Sequence, residues 1–171
     1  NRGPEPVFWT LRRGEREAGA TVHRMDAGLD TGPIVAQAAL PVPPGVRAPD
    51  LETDLMALGG RLLVAALPAL AAGTLRPRPQ ADAEATAAPR PDPADWLLPT
   101  TLPAGWAWAF ARGVAPLGGP LAVAAGALDR TLPVRDALDH DPLARPAEPV
   151  VDEGGGVVRV RFNPGWVRFR V

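Results

Sequence analysis

The sequence predicts a mixed α/β chain whose last part is β-rich. Three patterns carry that prediction. Leu51, Leu55, Leu58, Leu62, Leu67 and Leu70 recur at helical spacing behind Asp50, a residue suited to cap a helix. Residues 18–25 and 34–40 flank Asp26-Ala-Gly-Leu-Asp-Thr-Gly-Pro33, a stretch dense in turn formers, and read as strand, loop and strand. Val157–Phe162 and Trp166–Val171 alternate strictly around Asn163-Pro-Gly165, which is a hairpin pattern.

The elements follow in order. Residues 4–13 read as a short helix: Pro4 and Pro6 suit a first turn, Val7, Phe8 and Leu11 share a side, and Gly14 ends it. Ala18–Met25 is a strand with period two, and Ile34–Leu40 is its partner. The helix from Asp50 to Gly73 is expected to break or kink at Gly59-Gly60 and Pro68. Thr74–Pro79 reads as extended, and Ala81–Pro93, rich in Ala, Pro and Asp without periodicity, reads as a linker. A second unit opens near Asp95-Trp96. It holds a short helix over 105–112, a strand over 121–125 and a loop over 129–148 before the hairpin. The expected division is 1–80, a linker at 81–94, and a small β-rich unit at 95–171.

Composition excludes whole classes of chemistry. The chain has 171 residues with no Cys, Tyr, Ser or Lys, so all 18 basic residues are Arg. No Ser or Cys nucleophile, Schiff-base lysine, phosphate-loop lysine or zinc thiolate site is available. What remains is carboxylates, His23 and His140, Thr, Asn and backbone groups. The net charge of -1 gives no global field toward nucleic acid or membrane. The apolar run 62–72, interrupted by Pro68, is shorter than the roughly 20 residues of a membrane span, so no membrane partner is expected. The chain opens on Asn1, as a fragment or processed piece would.

The segment 1–37 concentrates the chemistry. Asp30 sits in a Gly-flanked loop between two strands, and His23 lies seven residues earlier on the first strand. Gly28 and Gly32 let backbone N–H and C=O groups approach a flat heterocycle, since no Cβ intervenes. A carboxylate there can tune a histidine or relay a proton. The bland alternatives are an Asx turn at Asp30-Thr-Gly and a packed or solvent-facing His23. Arg159, Arg161, Arg168 and Arg170 fall on one face of the terminal hairpin, which suits phosphate or simply solvent. Asp139-His140-Asp141 reads as a solvated loop, and no metal site is expected.

Arg2, Gly3 and Pro6, followed by Met25, Asp30 and Gly32, resemble the second half of the long signature of the 10-formyltetrahydrofolate-dependent formyltransferases, methionyl-tRNA formyltransferase-like members above all. The resemblance implies a partial doubly wound, Rossmann-like sheet followed by an open-barrel-like C-terminal unit. It implies that Asp30 is the catalytic aspartate, with His23 beside it as a second catalytic residue. It places Asp26, Ala27, Gly28, Leu29, Thr31 and Gly32 in the folate-binding loop. The reaction it implies is amine attack on a formyl carbon, which needs an oxyanion donor, a proton acceptor and a proton donor.

The family's Asn and His would precede Asn1, so the isolated chain is expected to be inactive and the full-length protein active. The implied donor is 10-formyltetrahydrofolate. The acceptor is an amine, with initiator methionyl-tRNA one choice, and the setting is cytoplasmic one-carbon metabolism and protein biosynthesis in a monomer. The resemblance leaves two alternatives: a formyltetrahydrofolate hydrolase of the same fold, and a non-catalytic RNA-binding or interaction protein that has kept the loop. An uncovered sheet edge would make the isolated piece aggregation-prone.

Overall fold

A computed structural model describes residues 1–125 and 130–171. The chain forms two compact units, one of residues 1–43 and 49–90, the other of 44–48 and 91–171.

The first unit starts with α1 (Pro6–Arg13), which has proline at its start and Gly14 in the left-handed conformation at its end. Its Val7, Phe8, Thr10 and Leu11 are buried. β1 (Glu17–His23) and β2 (Ile34–Pro41) pair antiparallel, from Glu17 opposite Pro41 to His23 opposite Ile34, with an irregularity between Val22 and His23. That register returns the loop 24–33 to its own base, where the Arg24 amide donates to the Pro33 carbonyl at 3.0 Å.

α2 (Ala48–Ala71) is continuous, against the expected break. Gly59 and Gly60 each cost about 1 kcal/mol relative to Ala, yet the surrounding Leu, Ala and Val run carries the helix through them. Pro68 lies near the C-terminal end, so the one N–H it removes interrupts little of the ladder. The uninterrupted helix therefore reaches the length and apolarity of a membrane span, which the shorter run read from the sequence does not. Asp50, Glu52, Asp54 and Arg61 are its charged residues, while Met56, Leu63, Val64, Leu67 and Leu70 are exposed.

Residues 81–90, expected as part of a linker, belong to the first unit. Arg2 donates its amide to the Thr86 carbonyl at 2.7 Å and accepts from the Ala88 amide at 2.7 Å, and the Glu5 amide donates to the Ala88 carbonyl. Ala88 is fully buried, and Gly3 passes so close to it that a Cβ there would meet the Ala88 oxygen at 2.4 Å. Pairing of this kind uses main-chain groups, which side-chain periodicity does not register.

In the second unit β3 (Leu97–Pro99) pairs parallel with β4 (Ala122–Ala125), and β4 pairs antiparallel with β5 (Arg130–Pro133). A four-stranded antiparallel sheet has the order β6-β9-β8-β7, formed by β6 (Asp136–Asp141), β7 (Val150–Gly154), β8 (Val157–Arg161) and β9 (Trp166–Arg170). The terminal hairpin forms as read, with Arg161 opposite Trp166. The stretch 129–148 is not a loop: it holds β5 and β6, whose short, charged strands lack an alternation long enough to read, and Asp129 lies outside the described residues. α3 (Ala104–Val114) lies against β6 and β9, and Ala107, Phe110, Ala111 and Val114 are buried, as are Val160, Val167 and Phe169 of the sheet. The fold class is thus mixed α/β with a small antiparallel β-rich part. The strand pair of the first unit is itself antiparallel.

Candidate active site

A cleft of about 570 Å³ opens in the first unit, within the size range of small-molecule sites. Strand β1 contributes Gly19, Thr21 and His23 to its wall; α2 contributes Glu52, Leu55 and Met56. Arg2, Asp30 and Gln80 complete its polar rim.

Asp30 is the one non-glycine residue with positive φ among the described residues, at 56°. Such a conformation costs on the order of 1–3 kcal/mol and persists where surrounding contacts enforce it. Here several contacts do so. The Gly3 amide donates to Asp30 Oδ2 at 3.1 Å, and Gln80 Nε2 donates to the carbonyls of Asp30 and Gly32 at 2.9 and 2.7 Å. Gly32 is buried beneath the loop; a Cβ there would sit 1.7 Å from the Arg24 carbonyl oxygen, so no other residue fits.

The irregularity at the end of β1 turns His23 toward Asp30, with Nε2 at 3.9 Å from Asp30 Oδ1. His23 Nδ1 lies 3.0 Å from the Arg24 carbonyl oxygen. A carbonyl only accepts, so in the neutral ring Nδ1 carries the proton and Nε2 presents a lone pair to Asp30. His23 Nε2 and Asp30 Oδ1 thus face each other across the edge of the cleft.

The rest of the loop is knit to itself. Asp26 Oδ1 accepts from the Gly28 amide at 3.1 Å and from the Thr31 hydroxyl at 2.7 Å. Ala27, Gly28 and Leu29 are exposed on its outer side. Asn1 also lines the cleft, with its side chain engaged by neighbours: its nitrogen donates to Thr10 Oγ1 and Glu15 Oε2, and its oxygen accepts from the Thr86 hydroxyl. Gln80 is the site residue that sequence reasoning missed. It sits at the edge of a Pro- and Ala-rich stretch, and its one advance signal was to be an amide side chain in an otherwise featureless run.

The other singled-out residues lie in the second unit. Arg159, Arg161, Arg168 and Arg170 alternate with the buried Val158, Val160, Val167 and Phe169, on the side of the sheet away from the core. Arg159 and Arg168 are directly opposed and both reach Glu153, at 3.3 and 3.5 Å. Arg168 also grips both carboxylate oxygens of Asp139. Those hydrogen bonds, with the Arg168 charge, hold the Asp139 carboxyl below its ordinary range and push Arg168 further into its protonated range. Arg161 donates to the Pro146 and Ala147 carbonyls. In the Asp139-His140-Asp141 run the three side chains diverge: Asp139 binds Arg168, His140 stacks on Trp108 at 4.5 Å, and Asp141 accepts from the Leu143 and Ala144 amides.

Residues 1–67, which contain Asp30 and all of its neighbours named above except Gln80, match the formyl transferase family model. Over that segment the chain is similar to the formyltransferases. It is 36% identical over 157 residues to the methionyl-tRNA formyltransferase of Anaeromyxobacter sp. (strain K), a match that covers 91% of this chain and 50% of that protein. The chain thus spans about half the length of such relatives. Two solved structures share its fold. An N-formyltransferase from Helicobacter canadensis, in complex with folinic acid and dTDP-3-aminofucose, superposes with a TM-score of 0.76 over 99% of this chain and 61% of its own, at 15% identity. HypX from Aquifex aeolicus, in complex with tetrahydrofolic acid, does so with a TM-score of 0.64 over 98% and 29%, at 17% identity.

Proposed function

We propose that this chain supplies the folate seat and the catalytic carboxylate of a transfer from 10-formyltetrahydrofolate to a substrate amine. The observation that carries the reading is the Asp30 carboxylate, held in a left-handed conformation at the mouth of the cleft, with the Gly3 amide on one oxygen and His23 Nε2 facing the other. The folate, when bound, supplies the formyl group that leaves its N10 for the amine. Asp30 and His23 together offer a place for the proton the attacking amine gives up, and a source for the proton N10 takes back. One of the two Asp30 oxygens is already oriented by a fixed backbone donor, so this handling needs little reorganisation during the reaction. The loop 26–32, tied by its Asp26–Thr31 contact, would offer its backbone groups to a pteridine ring. We further infer that the acceptor is an aminoacyl-tRNA, in keeping with relatives that match across most of the chain, the second unit included.

Titration of the purified chain with 5-formyltetrahydrofolate, a donor analogue that does not transfer, tests the folate seat. The reading expects saturable binding that weakens at least tenfold in Asp30→Asn. Binding of equal strength in the variant would remove Asp30 from the site. Formyl transfer by the protein that carries this chain, with methionyl-tRNA and an amino-sugar nucleotide offered in competition, tests the acceptor. Preference for the sugar would overturn the tRNA assignment.

A further inference from the structure

We infer that Gln80, braced by Arg2, is a positioning residue for Asp30; the inference rests on the folate reading above. The Gln80 carboxamide is used at both ends. Its oxygen accepts from Arg2 Nε at 3.2 Å and Nη2 at 2.9 Å. Its nitrogen spends one hydrogen on the Asp30 carbonyl and the other on the Gly32 carbonyl. These two carbonyls bracket Thr31, so one planar group fixes the backbone on both sides of the residue that follows Asp30. That is the grip a left-handed Asp30 requires, because the strained φ relaxes as soon as the following peptides turn.

The dipeptide Arg2-Gly3 therefore acts on Asp30 twice. Gly3 donates its amide directly to the carboxylate, and Arg2 orients the carboxamide that holds the backbone. Arg2 is itself held: Nη2 also meets Asp82 Oδ1 at 2.9 Å, and its backbone pairs with Thr86 and Ala88. The stretch 80–88, which has no periodic pattern, thereby joins the site as its outer brace. No other neutral side chain of this length offers two donors and one acceptor in a plane. Glu keeps the shape and the Arg2 contact but sets oxygen against both carbonyls; Met keeps the length and removes every hydrogen bond.

The test combines amide hydrogen exchange by NMR with 5-formyltetrahydrofolate titration, on the wild-type chain, Gln80→Glu and Gln80→Met. The reporter is the Gly3 amide, bonded to Asp30 Oδ2. The control is the Val42 amide, bonded to the Arg16 carbonyl at the far end of the hairpin. The expected result in both variants is at least tenfold faster exchange at Gly3, exchange at Val42 within twofold of wild type, and folate affinity at least tenfold weaker. Unchanged exchange at Gly3 would overturn the positioning role. So would parallel acceleration at Gly3 and Val42, since that reports general destabilisation. Faster exchange at Gly3 with unchanged folate affinity would separate Gln80 from ligand binding and overturn the inference. Selective acceleration at Gly3 in a protein whose wild type binds no folate would support the positioning role and overturn the folate reading alone.

Discussion

Asp30 and Asp139 are both carboxylates facing nitrogen-bearing side chains, and they are used in opposite ways. Asp139 takes both of its oxygens to Arg168, whose guanidinium also reaches Glu153. A bidentate pair of this kind satisfies the carboxylate and leaves it little to offer a ligand. Asp30 receives one backbone donor and confronts His23 at 3.9 Å, beyond hydrogen-bond reach, at the mouth of a cleft. Its conformation is strained, while its charge is only partly answered. Asp139 is saturated by its partners, whereas Asp30 is held by its backbone and left open at its oxygens.

Six substitutions break or sharpen this contrast. Phe169→Ala empties a fully buried ring site in the second unit, and about 3–5 kcal/mol should disappear from that unit's unfolding free energy in a denaturant titration. Asp30→Asn keeps the shape of the loop and removes the charge. Formyl transfer by the protein carrying this chain should drop by about 10²-fold or more with the circular dichroism spectrum intact, and unchanged turnover would return Asp30 to a structural role. Gly32→Ala places a methyl against the Arg24 carbonyl; a loss of about 1–3 kcal/mol in unfolding free energy is expected, together with weaker binding of 5-formyltetrahydrofolate.

Asp139→Asn should lower the melting temperature by only about 1–3 °C at neutral pH, because its ion pair is solvent-facing. The sign of its pH dependence follows from the depressed folded-state value. The unfolded carboxyl titrates near 3.8, so the stabilisation is fully present above that pH and lost as pH falls through the lower folded value. The gap between wild type and variant should therefore hold from pH 7 to about 5 and close below 3.8. The smallest effect concerns the arginine face. Arg168 is committed to Asp139 and Glu153, whereas Arg170 is exposed at the hairpin end. If single-stranded RNA engages this face, Arg170→Ala should reduce the slope of log affinity against log salt by about 0.7, and Arg168→Ala by less. Equal reductions would show that the acidic partners yield to phosphate.

Much of the site was legible because its information is local. Arg2, Gly3, Asp30 and Gly32 lie within 32 residues, and turn formers flank one carboxylate between two runs of period two. The terminal hairpin was legible for the same reason: strict alternation and an Asn-Pro-Gly turn specify it without reference to anything distant. Other features rest on long-range or backbone interactions. Residues 81–90 look like a linker because Ala, Pro and Asp carry no periodicity, yet they strap onto Arg2 and Glu5 through main-chain hydrogen bonds. The break expected in α2 did not occur, since two glycines and a late proline are outweighed by strong helix formers around them. The charged strands β5 and β6 hide in a loop-like sequence because pairing with β4 and β9 decides them.

By itself, then, the sequence determined the α/β class, the strand–loop–strand frame around Asp30, the terminal hairpin, and a chemistry without Ser, Cys, Lys or Tyr. The tertiary structure alone decided which groups meet: that Arg159 and Arg168 of the terminal ribbon are answered by Glu153 and Asp139, that His23 turns toward Asp30, and that Gln80, fifty residues on, holds the Asp30 backbone. The division has a physical cause. Backbone conformation and amphipathic faces follow from neighbours in the chain, whereas the partner of a carboxylate or a carbonyl is set by segments that only folding brings within 3 Å.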